Sequence, residues 1–243
     1  MRDWANEEKK RVDFLRRVLK NAHSDGFVFG NSGGKDCALV GILCKKACEN
    51  TVGIIMPCES KQNYTSDKKD ALELGEKFNI EMRTVDLTQT KKTLVSNLEK
   101  ITKLNNPALT NINPRLRMTT LYAVGAAENK LVVGTGNKSE RYLGYFTKWG
   151  DGAFDVNPIA DLRVEEIYEF LEYFDAPLNI RTKAPSAGLF EGQTDEDDMG
   201  VTYKSVDAYL RGETVSEKDR KTIEAFHSKS EHKRAGFLIY EDK

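Results

Sequence analysis

A three-layer α/β/α fold on a parallel, doubly wound sheet is what the sequence predicts, and three observations predict it. Four short apolar runs, Gly26 to Gly30, Val52 to Met56, Ile80 to Val85 and Leu131 to Val133, read as buried strands. Segments of helical periodicity separate them, which is the pattern of βαβ units. A glycine-rich stretch, Gly30 to Cys37, follows the first strand and opens the first of those helices, at the strand edge where such sheets take ligands.

Taken in order, residues 4–20 set Trp4, Val12, Phe14, Leu15, Val18 and Leu19 among charges, an amphipathic helix. Lys35 to Cys48 reads as a helix after the first strand, and 67–78 as the helix after the second, which Pro57 closes. Residues 90–104 follow the third strand as a helix. A turn at Asn105–Pro107 then leads into a long helix over about 115–128, and the fourth strand follows. The stretch 135–160, rich in Gly, Thr, Asn and aromatics, reads as a functional loop, and helices are expected at about 163–174, 202–211 and 216–228. Right-handed crossovers would bring the loops that begin at Gly30, Met56, Val85 and Gly134 to one edge. With no repeat and no Pro/Ser linker, the 243 residues are expected to form a single domain spanning 1–243.

Thirty-seven Lys and Arg against 38 Asp and Glu leave a formal charge of −1, which argues against a partner bound mainly through its phosphate backbone, so no nucleic acid is expected. No apolar run reaches a membrane span and the first eleven residues are mostly polar and charged, so a cytoplasmic protein is expected, with no membrane partner. The four cysteines, Cys37, Cys44, Cys48 and Cys58, form no CxxC pair, and are expected to be free thiols. Cys37, Cys44 and Cys48 would share one helix face as small apolar residues. His23 and His227 read as surface or cap residues, Lys9 to Arg11 as a solvated helix face, and the acidic run Asp195 to Asp198 as an exposed loop or helix start.

The glycine stretch is chemistry for holding phosphate: consecutive glycines allow close backbone approach, and the free N–H groups at a helix start point at an anion. It is not a Walker A loop, because Lys35 is followed by Asp36 and the glycine spacing is one short, and GxGxxG is absent. Asp36 suggests instead that a carboxylate holds magnesium beside pyrophosphate. Arg115 and Arg117, at the start of the long helix, suit a phosphate or a carboxylate.

The segment Ser32-Gly33-Gly34-Lys35-Asp36 resembles the signature of the ATP pyrophosphatases, enzymes that split ATP between its α and β phosphates to adenylate a substrate. Their signature usually ends in Ser, and here it ends in Cys37, a weaker hydrogen-bond donor. Residues 132–159, VVGTGNKSERYLGYFTKWGDGAFDVNPI, closely resemble the ammonia-dependent NAD synthetases, as do Ala184-Pro185-Ser186, Gly192 to Glu196, Met199 to Tyr203 and the tail Glu231-His232-Lys233-Arg234. The resemblance runs from about residue 14 to 235 and implies the adenine nucleotide alpha hydrolase-like fold.

It implies roles as well. Gly30, Asn31, Ser32, Gly33, Gly34, Lys35, Asp36 and Cys37 would hold the ATP phosphates, and Thr135 and Ser186 would touch ATP. Asp36 and Glu140 would bind Mg2+, and Arg115, Lys148, Asp155, His232 and Lys233 would contact deamido-NAD. A family lysine that contacts ATP is replaced by Val164, with Arg163 just before it. The reaction implied is the ATP-dependent amidation of deamido-NAD with ammonia through an adenylated carboxylate, by a homodimer with no glutaminase domain. Asp36, Glu140 and Lys148 would serve catalysis, with Asp151 a candidate to take a proton from ammonia. Two alternatives compete. A tRNA thiolase or lysidine-type synthetase would want a basic surface, and a thiolase paired cysteines as well. A nucleotide-binding module without catalysis is prompted by Cys37 and Val164.

Overall fold

The computed structural model describes residues 2–60, 64–183, 195–236 and 239–240. Four strands, β1 (Gly26–Gly30), β2 (Thr51–Ile55), β3 (Glu81–Thr84) and β4 (Lys130–Val133), form one parallel sheet in the order β3-β2-β1-β4. The register pairs Val28 with both Val52 and Val132. The chain steps outward from β1 to β3 and then crosses to the far side of β1, so the sheet reverses direction between β1 and β4. That switch point leaves a crevice at their carboxyl ends.

Strand alternation divides the core. Phe27 and Phe29 of β1, both fully buried, face α1 (Trp4–Asn21), α2 (Lys35–Ala47) and α7 (Val164–Tyr173). Val28 faces the opposite way, with Val52, Ile54 and Val132, onto Leu116, Leu121 and Val124 of α5 (Asn106–Glu128). Helices α3 (Ser66–Phe78) and α4 (Thr88–Leu98) complete the two outer layers. The three-layer parallel architecture expected from the sequence is therefore present. A third cluster joins α6 (Lys138–Leu143), α7, α9 (Asp195–Met199), α10 (Tyr203–Leu210) and α11 (Glu217–Lys229) through Leu143, Val164, Met199, Val206 and Ile223. Short α8 (Leu178–Thr182) and α12 (Glu231–Arg234) complete the described helices.

Three elements differ from the sequence reading. α5 begins at Asn106 rather than near 115, because the Asn105 side chain caps it by accepting from Ala108 N and Pro107 fits its first turn. The long loop contains α6, started by a capping box in which Asn137 Oδ1 accepts from Glu140 N while Glu140 Oε2 accepts from Asn137 N. Lys9 to Arg11 is not wholly solvated. Arg11 is 8% exposed and its guanidinium binds Glu7, Asp161 and the Pro158 carbonyl, tying α1 to the loop before α7.

Candidate active site

A chamber of about 880 Å3 opens at the carboxyl ends of β1 and β4. Its floor is the glycine loop. Gly33 has φ +72°, and a Cβ there would stand 2.3 Å from the Asp67 carbonyl oxygen, so the turn admits only glycine without rearrangement. Asn31 is 2% exposed and shapes the turn: its Oδ1 accepts from Gly33 N at 3.0 Å and its Nδ2 donates to the Ala71 carbonyl. Gly34 starts α2 with no side chain to cap it, so the first N–H groups of the helix are left for an anion in the chamber.

Two carboxylates meet beside this loop. Asp36, in the first turn of α2, accepts Lys35 Nζ at 2.6 Å and Asn137 Nδ2 at 3.1 Å. Glu140, in the first turn of α6, also lines the chamber, and burial followed by the Asp36 charge pushes its carboxyl well above the usual range. Burial alone would lower the Lys35 ammonium, but Asp36 and Glu140 hold it above its ordinary value. Two enclosed carboxyl groups beside one lysine favour a further cation, which would let both ionise, and their hard oxygen donors are of the kind magnesium takes. Among the described residues no group of three or more His, Cys, Asp or Glu side chains could by itself cage a metal.

Asn137, fully buried, was missed by the sequence reading although it links the two carboxylates, through its amide to Asp36 and its capping box to Glu140. The signal was the Asn-x-x-Glu spacing itself. Arg117 was read only as suited to a phosphate or carboxylate, and Arg115 alone was carried on to the dinucleotide. Its Nε donates to the Met56 carbonyl, and it lines the chamber where Arg115 does not.

The remaining expected site residues separate. Thr135 and Cys37 line the chamber, with Cys37 Sγ 3.3 Å from Ser32 Oγ and its thiol pushed up by burial. All four cysteines are free, as expected; Cys37, Cys44 and Cys58 are buried and Cys48 half-buried. Asp151 and Lys233 line it too. Asp151 is exposed as a residue, yet its carboxyl is enclosed enough for burial to raise it, and it accepts from Thr147 N at 2.9 Å. Lys233 donates to the carbonyls of Gly144 and Phe146.

Arg115, Lys148, Asp155 and His232 are not among the lining residues. Three of them form an outer chain, with Arg115 donating to the Lys148 carbonyl and Lys148 Nζ to the His232 carbonyl at 2.6 Å. Asp155 accepts from Val132 N and Tyr122, fastening the loop to β4. Arg163 is engaged by Glu165 and Glu166 and Val164 is buried, so neither lines the chamber. Ser186 lies outside the described residues, as does most of the 186–200 segment. The acidic run Asp195 to Asp198 forms a helix start, one of the two forms expected, and Asp195, which is buried, and Asp198 line the chamber. His227 packs instead of capping, stacked on Tyr142 at 4.0 Å.

The family model for NAD synthase matches residues 7–236. The chain belongs to the NAD synthase family. Within it, the chain is 45% identical over 235 residues to the NH(3)-dependent NAD(+) synthetase of Carboxydothermus hydrogenoformans, covering 96% of each. Among solved structures it matches NMN synthetase from Francisella tularensis with a TM-score of 0.94 and 40% identity over the whole of both chains. It also matches the NH3-dependent NAD synthetase of Campylobacter jejuni at a TM-score of 0.81 and 31% identity, over 99% of this chain and 100% of that one. Membership fixes the fold as adenine nucleotide alpha hydrolase-like and the activity as that of a ligase that uses ATP as co-substrate.

Proposed function

We propose that the protein amidates the nicotinate carboxylate of deamido-NAD, using ATP and ammonia and releasing NAD, AMP and pyrophosphate. The observation that carries this is the chamber at the β1/β4 switch point, floored by an uncapped helix start and walled by Asp36 and Glu140, in a chain of this family. Ammonia as the nitrogen source is supported by the NH(3)-dependent relatives, of which the chain spans 96% in the first case.

A carboxylate is a poor acylating agent because its leaving group would be oxide. Its oxygen attacks the α-phosphorus, pyrophosphate departs, and ammonia then attacks the carbonyl carbon of the mixed anhydride to expel AMP. Asp36 and Glu140 would hold Mg2+, which when bound neutralises charge on the phosphates. The N–H groups at the start of α2 stabilise the same charge from the protein side, and much of the acceleration is positioning. Asp151, raised by its enclosure, is suited to take the proton that ammonia loses on bond formation. Arg115, Lys148, Asp155 and His232, outside the chamber proper, would meet the distal half of the dinucleotide, with Lys233 at the chamber wall. A homodimer agrees with the exposed Leu94 and Ile101 on and after α4; among the described residues no helix is long and apolar enough to cross a membrane.

A second reading has its own support: the whole-chain match to NMN synthetase favours nicotinate mononucleotide as the acceptor. One experiment separates the two. Purified protein is given ATP, Mg2+ and ammonium with deamido-NAD or nicotinate mononucleotide, and a parallel series replaces ammonium by glutamine. NAD and AMP formed one for one from deamido-NAD with ammonium alone are the expected result. A kcat/KM at least tenfold higher for the mononucleotide would transfer the assignment, and no amide from either acceptor would overturn both.

A further inference from the structure

Glu140 rides on α6, a helix of six residues, too short to hold its place without help. Asn137 fixes its start. Its end is held from α12 and the residue before it, where Arg234 donates to the Tyr142 carbonyl, Lys233 to those of Gly144 and Phe146, and Ser230 packs on Gly144. A third anchor grips the flank. Ser139, fully buried, donates its hydroxyl to Asp207 Oδ1 at 2.5 Å, and Asp207 Oδ2 accepts the Glu165 backbone N–H at 2.9 Å.

Asp207 is 2% exposed, lies on α10 and is not among the residues that line the chamber. Burying a carboxylate is costly unless it is fully hydrogen-bonded, and here one carboxylate serves two other elements. It binds α6 through Ser139 and caps the N-terminus of α7, where the helix dipole favours negative charge. The neighbour of Ser139 along α6 is Glu140, so the contact that fixes one sets the direction of the other, about 100° further round the helix.

We infer that Asp207 is a positioning residue for the reaction: through Ser139 it fixes the rotation of α6 and so keeps Glu140 opposite Asp36. The inference rests on the reading of Asp36 and Glu140 as the magnesium-holding pair. Removing the anchor leaves the chamber lining chemically intact and loosens its geometry.

The test uses the full chain with Mn2+ as the metal probe and a non-hydrolysable ATP analogue, with bound Mn2+ counted by electron paramagnetic resonance. Asp207→Asn keeps the volume but turns an amide N–H2 towards either Ser139 or the Glu165 N–H. Ser139→Ala removes the link from the other side, and stands in if the first variant fails to fold. Leu15→Ala, in the α1 core far from α6, is the comparison for general destabilisation, and Glu140→Gln reports on the metal reading itself. Both anchor variants should raise the Mn2+ dissociation constant about tenfold, in the range found when groups behind metal ligands are lost, while Leu15→Ala leaves it unchanged. Glu140→Gln weakening Mn2+ while the anchor variants bind as tightly as wild type or Leu15→Ala would sink the positioning role alone. Unchanged binding in Glu140→Gln would overturn the metal reading and the positioning role together.

Discussion

At the scale of single residues, the site depends on atoms that leave no room for substitution. Gly33→Ala would place a methyl group against the Asp67 carbonyl at a left-handed φ, a strain of about 1–2 kcal/mol before any clash is relieved. Its expected signature is a raised KM for ATP together with a lower thermal midpoint. Asn137→Ala should act differently, by freeing Asp36 and Glu140 from each other: kcat/KM is expected to fall about 10- to 100-fold, read as pyrophosphate release. Cys37 ends a signature that usually ends in Ser, yet its thiol keeps the contact with Ser32. Cys37→Ser should therefore retain activity within about a few-fold, since a hydroxyl makes the same contact more strongly. Arg115 and Arg117 show what spacing alone conceals. Two positions apart, they lie on different helix faces, and it is Arg117, bound to the Met56 carbonyl just past β2, that lines the chamber.

At the scale of elements, the short helix α6 joins the phosphate-binding half to the C-terminal helices. Gly144 ends it at φ +67°, with Ser230 so close that a Cβ would meet its side chain at 2.0 Å. Gly144→Ala should loosen the seat of α11 and α12 on α6, seen as faster amide hydrogen exchange in both and as lost activity, while the sheet stays protected. The elements most legible in the sequence were those with long periodic faces or unbroken apolar runs: α1, α2 and the four strands lie within a residue or two of expectation. The shorter ones were hidden for physical reasons. α6 is too brief to show a period, and its aromatic neighbours serve the chamber and the third cluster rather than a helix face. The turn read at Asn105–Pro107 is a helix start, with Pro107 in the first helical turn of α5, and Pro114 further along removes a backbone bond from Thr110, which borders the chamber. The glycine loop was legible as a phosphate-holding turn because its chemistry is local, whereas Thr135 and Glu140, which line the same chamber, were singled out through the family resemblance. The separation of Arg115, Lys148 and His232 from the chamber depends on how distant segments pack.

At the scale of the whole molecule, α1 is clasped to the loop before α7 by Arg11, whose guanidinium binds Glu7 in its own helix and reaches Pro158 and Asp161, 147 and 150 residues along the chain. Burial alone would raise the Asp161 carboxyl, but Arg11 and Arg2 hold it below its ordinary value, and Glu7 behaves alike. Depressed carboxylates contribute stability that is present above about pH 4–5 and lost as pH falls through their folded values. Arg11→Ala is accordingly expected to lower stability by about 1–3 kcal/mol at pH 7 and by progressively less towards about pH 3, measured as urea midpoints across that range. A constant difference at every pH would show that the clasp acts through packing alone. The clamp on α6 bears also on how the protein is made. The phosphate loop leaves the ribosome early, Asn137 follows Asp36 by 101 positions, and Lys233 follows Gly144 by 89 more. A nascent chain can thus complete its sheet and glycine loop well before the residues that hold α6 from its far end have been made.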